Sequence, residues 1–340
     1  MLPLDNLESL KAMMGVGIVG VGKYLPETLI TNKELQSSTG MLANDIVAKT
    51  GIETRRRAGE NEVFSDMALK AAEQALESAG IQAEDIGLII TCSFTGDYVY
   101  PASSCRIQER LKAVNAGAFD IMANCTGFQV GLGVASDRMK VDRTIDYVLL
   151  IGGALQSRFI NYSDANSAIY FGDGVGAAVL GRVPEGYGII SHDVRADGRA
   201  FDAVRLRGGG SSHPMSADNV NEGLQYYEIV GLEVWKQVVS NLPKSLDRAM
   251  RKISKTVEDV DFFVFHQANL RLIEFLMGKM RRQMTDTYTN VERYGNTADA
   301  SQAIALCDAV NAGKLKRGDL VAVSGVGAGF VFGTTIIRWY

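Results

Sequence analysis

Short apolar runs alternate with stretches of helical periodicity along the whole chain, and this alternation predicts an α/β fold with buried sheets. The order of elements also repeats. Glu84-Asp85-Ile86 leads into an apolar run over Gly87–Thr91, and Glu258-Asp259-Val260 leads into Asp261–Phe265, with Asp85 and Asp259 separated by 174 positions. Each run follows a helical stretch, Ala71–Ser78 in one case and Pro243–Ile253 in the other. Further on, the strand patterns Asp146–Gly153 and Asp319–Gly325 begin 173 positions apart. Cys125 and Asn296, each just before a helix-like stretch, are 171 apart. Two halves of matched topology would bring both helix starts to one central site. Turn chemistry at Pro184-Glu185-Gly186 places the boundary there, giving halves over 15–184 and 185–340 behind an N-terminal extension over 1–14. Within the second half, Arg199–Asn221 contains Gly208-Gly209-Gly210-Ser211-Ser212 and reads as a loop shaping a substrate entrance.

At 340 residues and 46% hydrophobic content the chain is long enough for a large core or two domains. A formal net charge of −4 offers no electrostatic attraction to nucleic acid or an anionic membrane, so small molecules or proteins are the expected partners. The four cysteines (Cys92, Cys105, Cys125, Cys307) form no CxxC pair, and the three histidines show no zinc spacing. Neither a disulfide framework nor a metal is expected. The first residues carry Asp5 and Glu8 without a long apolar core, and no later run reaches transmembrane length, which suggests a reducing cytoplasm.

Candidate chemistry centres on Cys125, which follows the strand-like run Gly117–Asn124 and opens the helix-like stretch Thr126-Gly127-Phe128. At a helix start, free N–H groups and the dipole would favour thiolate and lower the thiol pKa. The other cysteines read as small core residues. His266 ends the apolar strand Phe263-Val264-Phe265, and Asn296 precedes a second helix start. Singly, these would be a structural histidine and an N-cap. Together they could donate hydrogen bonds to a developing oxyanion. The run Ser324-Gly325-Val326-Gly327-Ala328-Gly329-Phe330 would let backbone approach a thioester closely. A formal GxGxxG match at Gly15, Gly17 and Gly20 is rejected as a dinucleotide site, because its glycines lie inside a strand pattern and Lys23-Tyr24-Leu25-Pro26 stands where a helix should begin. Gly172-Asp173-Gly174-Val175-Gly176 reads as a tight turn near the site.

These residues carry a resemblance. Thr50-Gly51-Ile52 with Arg55-Arg56, Cys125-Thr126-Gly127-Phe128, Phe171-Gly172-Asp173-Gly174, His266-Gln267-Ala268-Asn269-Leu270-Arg271, Tyr294-Gly295-Asn296-Thr297 and the terminal glycine run occur in this order over nearly the whole chain. In this the chain resembles the β-ketoacyl-[acyl-carrier-protein] synthase III family, the FabH-type branch of the thiolase superfamily. The resemblance implies a thiolase fold, with duplicated βαβ halves in a five-layered α-β-α-β-α sandwich, a homodimer, and no cofactor. It implies a Cys125, His266, Asn296 triad that takes an acyl group onto sulfur and then performs a decarboxylative Claisen condensation with a malonyl-type carrier-protein thioester. Backbone of Cys125, Gly327, Ala328 and Gly329 would hold the oxyanion. Phe171 and Asn269 would bind substrate, and Tyr100 would reach across the dimer. Arg271, Lys279, Arg281 and Arg282 would dock an acidic acyl carrier protein.

Two departures bear on the acyl donor. Relatives that prime from coenzyme A typically carry Trp-Ile where this chain has Asp45-Ile46, and an arginine where it has Ala165. Without those partners for adenine, a carrier-bound donor becomes the alternative to coenzyme A. The pathway stays open between fatty acid biosynthesis and polyketide or other secondary metabolism, including the joining of two acyl chains. Acyl transfer or thioester hydrolysis without carbon–carbon bond formation, with His266 as general base, also remains open.

Overall fold

The computed structural model describes residues 14–340, so the expected extension over 1–14 lies, Met14 apart, outside the described residues. The first half carries β1 (Gly15–Tyr24), β2 (Thr28–Thr31), α1 (Asn32–Thr39), α2 (Ala43–Thr50), β3 (Thr54–Arg57), α3 (Phe64–Ala79), β4 (Ile86–Cys92), α4 (Ser103–Leu111), β5 (Gly117–Ile121), α5 (Gly127–Val141), β6 (Tyr147–Ala154), α6 (Ala165–Ala168) and β7 (Gly174–Val183). The second carries β8 (Gly188–Ala196), β9 (Val204–Leu206), β10 (Tyr227–Ile229), α7 (Gly231–Arg251), β11 (Phe262–Phe265), α8 (Leu270–Lys279), α9 (Val291–Tyr294), α10 (Ser301–Asn311), β12 (Leu320–Gly327) and β13 (Val331–Arg338).

The strands form two main sheets, ordered β1-β7-β6-β4-β5 and β8-β13-β12-β11. In the first, β4 runs parallel to β6, while β7 is antiparallel to both β6 and β1. The second repeats this scheme: β11 runs parallel to β12, and β13 is antiparallel to both β12 and β8. A parallel bridge between Phe263 and Thr287 stands where β5 stands in the first sheet. The repeat spacing read from sequence is therefore a repeat of strand order. The chain passes from one sheet to the other through Pro184–Tyr187, closed by the Tyr187 N–H donating to the Pro184 carbonyl at 3.1 Å.

Alternation along each strand decides the layering, because successive side chains point to opposite faces. Ile89, Leu149 and Ile151 face α3 on the outside of the first sheet, while Ile90, Cys92 and Leu150 face inward onto α5 and α10. In the second sheet, Phe262 and Val264 point to the same two central helices, whereas Phe263 and Phe265 point outward to α7 and α8. The result is five layers: helix, sheet, central helix pair, sheet, helix. A helix clamped between two sheets has no solvent face, and α10 is accordingly buried without interruption from Ser301 to Ala309.

Several local expectations change. Helix α7 begins at Gly231, not at Pro243, and carries Pro243 inside it. Proline lacks the N–H that would bond to the carbonyl four residues earlier. That carbonyl, on Val239, instead accepts a hydrogen bond from Lys279 Nζ at 2.9 Å. The run Gly174-Val175-Gly176 is the start of β7 and not part of a turn. A Cβ on Gly176 would lie 2.5 Å from Ala303 Cβ, so its glycine serves the close approach of α10. Cys92 and Cys307 are buried as expected, but Cys105 is exposed on α4. Gly15, Gly17 and Gly20 all lie within β1. Among the described residues no helix is long and apolar enough to cross a membrane.

Candidate active site

Both sheets end at one cavity of about 530 Å3. Cys125, His266 and Asn296 all line it, together with Phe171, Asn269, Gly327 and Ala328. Cys125 and His266 reach it from beyond the ends of β5 and β11, and Asn296 from just past α9.

Cys125 sits in a 3-10 turn over Asn124–Thr126, between β5 and α5. The turn is sharp: Asn124 adopts φ +48°, a region that asparagine tolerates better than most residues. The Asn124 amide donates to the Ala328 carbonyl at 3.0 Å, and the Thr126 hydroxyl donates to the Ala123 carbonyl at 2.7 Å. The first bond fastens the nucleophile's turn to the glycine run, and the second closes the turn on itself. Gly327 lies so close that a Cβ there would be 2.5 Å from the Ala123 carbonyl and 3.1 Å from the Cys125 nitrogen. Gly329 follows the cavity-lining pair Gly327 and Ala328 but does not itself face the cavity.

The thiol does not behave as its position before a helix suggests. Burial pushes it well above the usual cysteine range, a nearby Asp299 charge pushes it further, and only the Cys125 N–H acts the other way. The amides of Thr126 and Gly127 are already spent within the 3-10 turn, donating to Ala123 and Asn124 carbonyls. With the turn enclosed between two sheets, desolvation outweighs the dipole.

His266 follows the last residue of β11 and is 8% exposed. Its Nδ1 lies 2.6 Å from the Ser301 hydroxyl, which also accepts the Gln267 N–H at 3.2 Å. The serine proton is then free to go to Nδ1, which leaves the ring's own proton on Nε2, toward the cavity. Burial pulls the imidazole from 6.5 down to about 3, so it is neutral at physiological pH. Ser301, unremarked in the sequence reading, thus sets the tautomer.

Asn296 is held by both halves of the molecule. Its N–H donates to the Tyr170 carbonyl at 2.8 Å, and its carbonyl accepts from Gly172 N–H at 3.0 Å and from Gln156 Nε2 at 2.6 Å. Its side-chain Oδ1 accepts the Ala298 N–H at 2.9 Å, which fixes the amide and leaves Nδ2 as the donor side. The N-cap-like bond and the donor role are therefore compatible, since they use opposite ends of one amide.

Asp299, also missed from sequence, lies beneath this site. It is 1% exposed, and burial pushes the carboxyl well up, against the smaller opposing effect of its own N–H and that of Gly127. A Cβ on Gly127 would stand 2.3 Å from Asp299 Oδ1, which places the acid against the first turn of the nucleophile's helix.

The remaining expected residues divide. Asn269 caps α8 by accepting the Arg271 N–H at 2.8 Å. Tyr100 is 84% exposed, next to Val99 at 93%, and neither lines this chain's cavity. Arg271 donates to the Ala48 and Val47 carbonyls at the end of α2 and pairs with Glu274 at 3.0 Å. Arg282 pairs with Asp286 at 3.1 Å and donates to the Val260 carbonyl at 2.7 Å. Arg281 is exposed just past α8, and Lys279 serves the Val239 carbonyl. Three of the four cations are thus engaged in holding local structure. From the segment expected to shape the entrance, Val204 lines the cavity, with Ile229 on the paired strand, whereas Gly208–Ser212 does not.

Comparison with known proteins agrees along the chain. Residues 119–198 match the family 3-Oxoacyl-[acyl-carrier-protein (ACP)] synthase III, and residues 250–339 match its C-terminal part. A β-ketoacyl-[acyl-carrier-protein] synthase III of Clostridioides difficile (strain 630) is 39% identical over 323 residues, covering 95% of this chain and 98% of that protein. The crystal structure of 3-oxoacyl-[acyl-carrier-protein] synthase III from Aquifex aeolicus VF5 is similar with a TM-score of 0.87 at 32% identity, covering 96% of this chain and 100% of that one. The priming β-ketosynthase of the R1128 polyketide biosynthetic pathway gives a TM-score of 0.87 at 29% identity, covering 96% of each. Matched along nearly its whole length, the chain belongs to the 3-oxoacyl-[acyl-carrier-protein] synthase III family and has its thiolase fold.

Proposed function

We propose that this protein is a condensing enzyme that loads an acyl group onto Cys125 and extends it with a malonyl-type carrier-protein thioester. The observation that carries the proposal is the convergence of Cys125, His266 and Asn296 on one cavity. In the first step the Cys125 sulfur attacks the donor's thioester carbonyl. Backbone N–H groups of Cys125 and of the cavity-lining Gly327 and Ala328 stabilise the oxyanion, the donor's C–S bond breaks, and its thiol leaves with the proton. In the second step the malonyl thioester oxygen receives hydrogen bonds from His266 Nε2 and Asn296 Nδ2. The bond to the carboxylate breaks, carbon dioxide leaves, and the electron pair remains as an enolate. That carbon attacks the acyl-cysteine carbonyl, forming the new C–C bond and releasing sulfur.

Neutral His266 suits this role better than that of a general base. An imidazole pulled down to about 3 is a poor proton acceptor but keeps its N–H donor throughout the physiological range. This disfavours hydrolysis or transfer to oxygen or nitrogen. Decarboxylation of malonyl-carrier protein tests the assignment: His266→Ala and Asn296→Ala should each lose about a hundredfold or more in carbon dioxide release. Undiminished release in both would refute it.

A carrier-bound acyl donor fits the entrance better than coenzyme A. Asp45 is an exposed carboxylate on α2, and Ala165 offers no planar group for a base. A homodimer is supported by the edge strand β5, which among the described residues is unpaired on its outer side. Phe119 on this strand and Met122 just past it are exposed, as are Tyr98, Val99 and Tyr100 after β4. Such an edge and apolar surface are ordinarily covered. Its four free thiols suit a reducing cytoplasm.

A further inference from the structure

Asn296 lies between α9 and the 3-10 turn Ala298–Ala300, in no helix or strand, so no regular element fixes where its side chain points. Its backbone is held by a parallel bridge of a single residue pair, Phe171 with Asn296, made of the bonds to Tyr170 and Gly172. Two bonds are few for a residue that must hold a donor on a reacting oxygen, where a displacement of about 1 Å can cost a hundredfold in rate. Gln156 adds a second grip. It is 1% exposed and opens the 3-10 turn Gln156–Phe159 just after β6. Its Nε2 carries two hydrogens, and it donates to the Asn296 carbonyl at 2.6 Å and to the Gly172 carbonyl at 3.0 Å. One amide thus ties together both sides of the bridge.

The glutamine is itself pinned on both sides. Leu155 N–H donates to the Thr95 hydroxyl at 2.8 Å, and Ser157 N–H donates at 2.9 Å to the buried carboxylate of Asp173, which also accepts the Ala58 N–H at 2.8 Å. The Asn296 carbonyl already has the Gly172 N–H as a partner, so Gln156 is not needed to satisfy it. A buried amide costs more than an apolar side chain unless its bonds are used, and here it follows a strand buried from Val148 to Ala154. We propose that Gln156 is a positioning residue for decarboxylation: its amide locks the Phe171–Asn296 bridge and keeps Asn296 Nδ2 aimed at the malonyl thioester oxygen. The inference rests on the donor role given to Asn296 above. Gln156 does not line the cavity, so it acts through Asn296 and not on substrate. Its amide bonds reach neither the Cys125 turn nor the glycine run, so acylation does not need them.

The test replaces Gln156→Leu in the full-length protein, alone and together with Asn296→Ala, and follows carbon dioxide release from malonyl-carrier protein beside acylation of Cys125 by mass. Gln156→Leu should lower kcat for release about tenfold to a hundredfold, with KM and the acylation rate each within about twofold of wild type. In the Asn296→Ala background the same change should cost nothing further, because a group that acts through another has no effect once that other is gone. Gln156→Met, with an unbranched side chain of similar length, serves the same comparison where the leucine variant does not fold. Wild-type release in the single variant, an equal loss of acylation, or a full second loss in the double variant would overturn the inference. Release at the wild-type rate from Asn296→Ala would instead remove the donor role on which it stands.

Discussion

The neutrality of His266 has a consequence for stability that can be worked out from the structure. Burial pulls the imidazole from 6.5 to about 3. Between those values the unfolded chain binds a proton that the folded protein refuses, so the folded state loses stability as pH falls. The contribution is fully present above the unfolded value and fully lost below the folded one. The slope approaches about 1.4 kcal/mol per pH unit inside the window and is half that at its edges, so acidification from 7.0 to 4.5 should remove about 2.5 kcal/mol through this group alone. Replacement His266→Gln keeps a polar side chain of similar reach and cannot titrate. Urea unfolding at pH 7.0 and 4.5, at one fixed protein concentration because assembly would contribute, yields the difference between the two proteins. Wild type should lose about 2.5 kcal/mol more than the variant on acidification. Parallel losses would mean that the folded imidazole titrates near its ordinary value, and the neutral-donor role would fall with it.

Other consequences concern the groups around the sulfur. Asp299→Asn removes a carboxyl from against the first turn of α5, so iodoacetamide should alkylate Cys125 about tenfold faster at pH 8. Superimposable rate-against-pH profiles would show that the acid carries no charge felt by the thiol. Ser301→Ala frees the imidazole to take the wrong tautomer. Carbon dioxide release from malonyl-carrier protein should drop about tenfold to a hundredfold with self-acylation unchanged, a smaller loss than from deleting a donor. A matching drop in self-acylation would assign Ser301 a general structural role instead.

Much of this was legible in the residues, and what was not has physical causes. The doubled order of strands could be read because acidic turns before β4 and β11, and aspartates before β6 and β12, recur at nearly constant spacing. Cys125, His266 and Asn296 could be found because each interrupts an apolar pattern at a strand or helix end. The beginning of α7 was missed because Pro243 looks like a helix start, and nothing local announces that a lysine from α8 will satisfy the carbonyl it frees. The thiol's direction was misjudged because dipole arguments consider the helix alone, while enclosure between two sheets is a tertiary property. Asp299 and Ser301 went unnoticed for the opposite reason: both are polar residues in a helix start whose burial only the five-layer packing reveals.

Intact-protein mass spectrometry, after exposure to a panel of acyl-coenzyme A and acyl-carrier thioesters, addresses the central claim most directly. The account requires one acyl mass per chain on the wild type, localised to the Cys125 peptide, discharged as a β-ketoacyl product when malonyl-carrier protein is added, and absent from Cys125→Ala. An adduct that persists in Cys125→Ala, or one that malonyl-carrier protein never discharges, would contradict it.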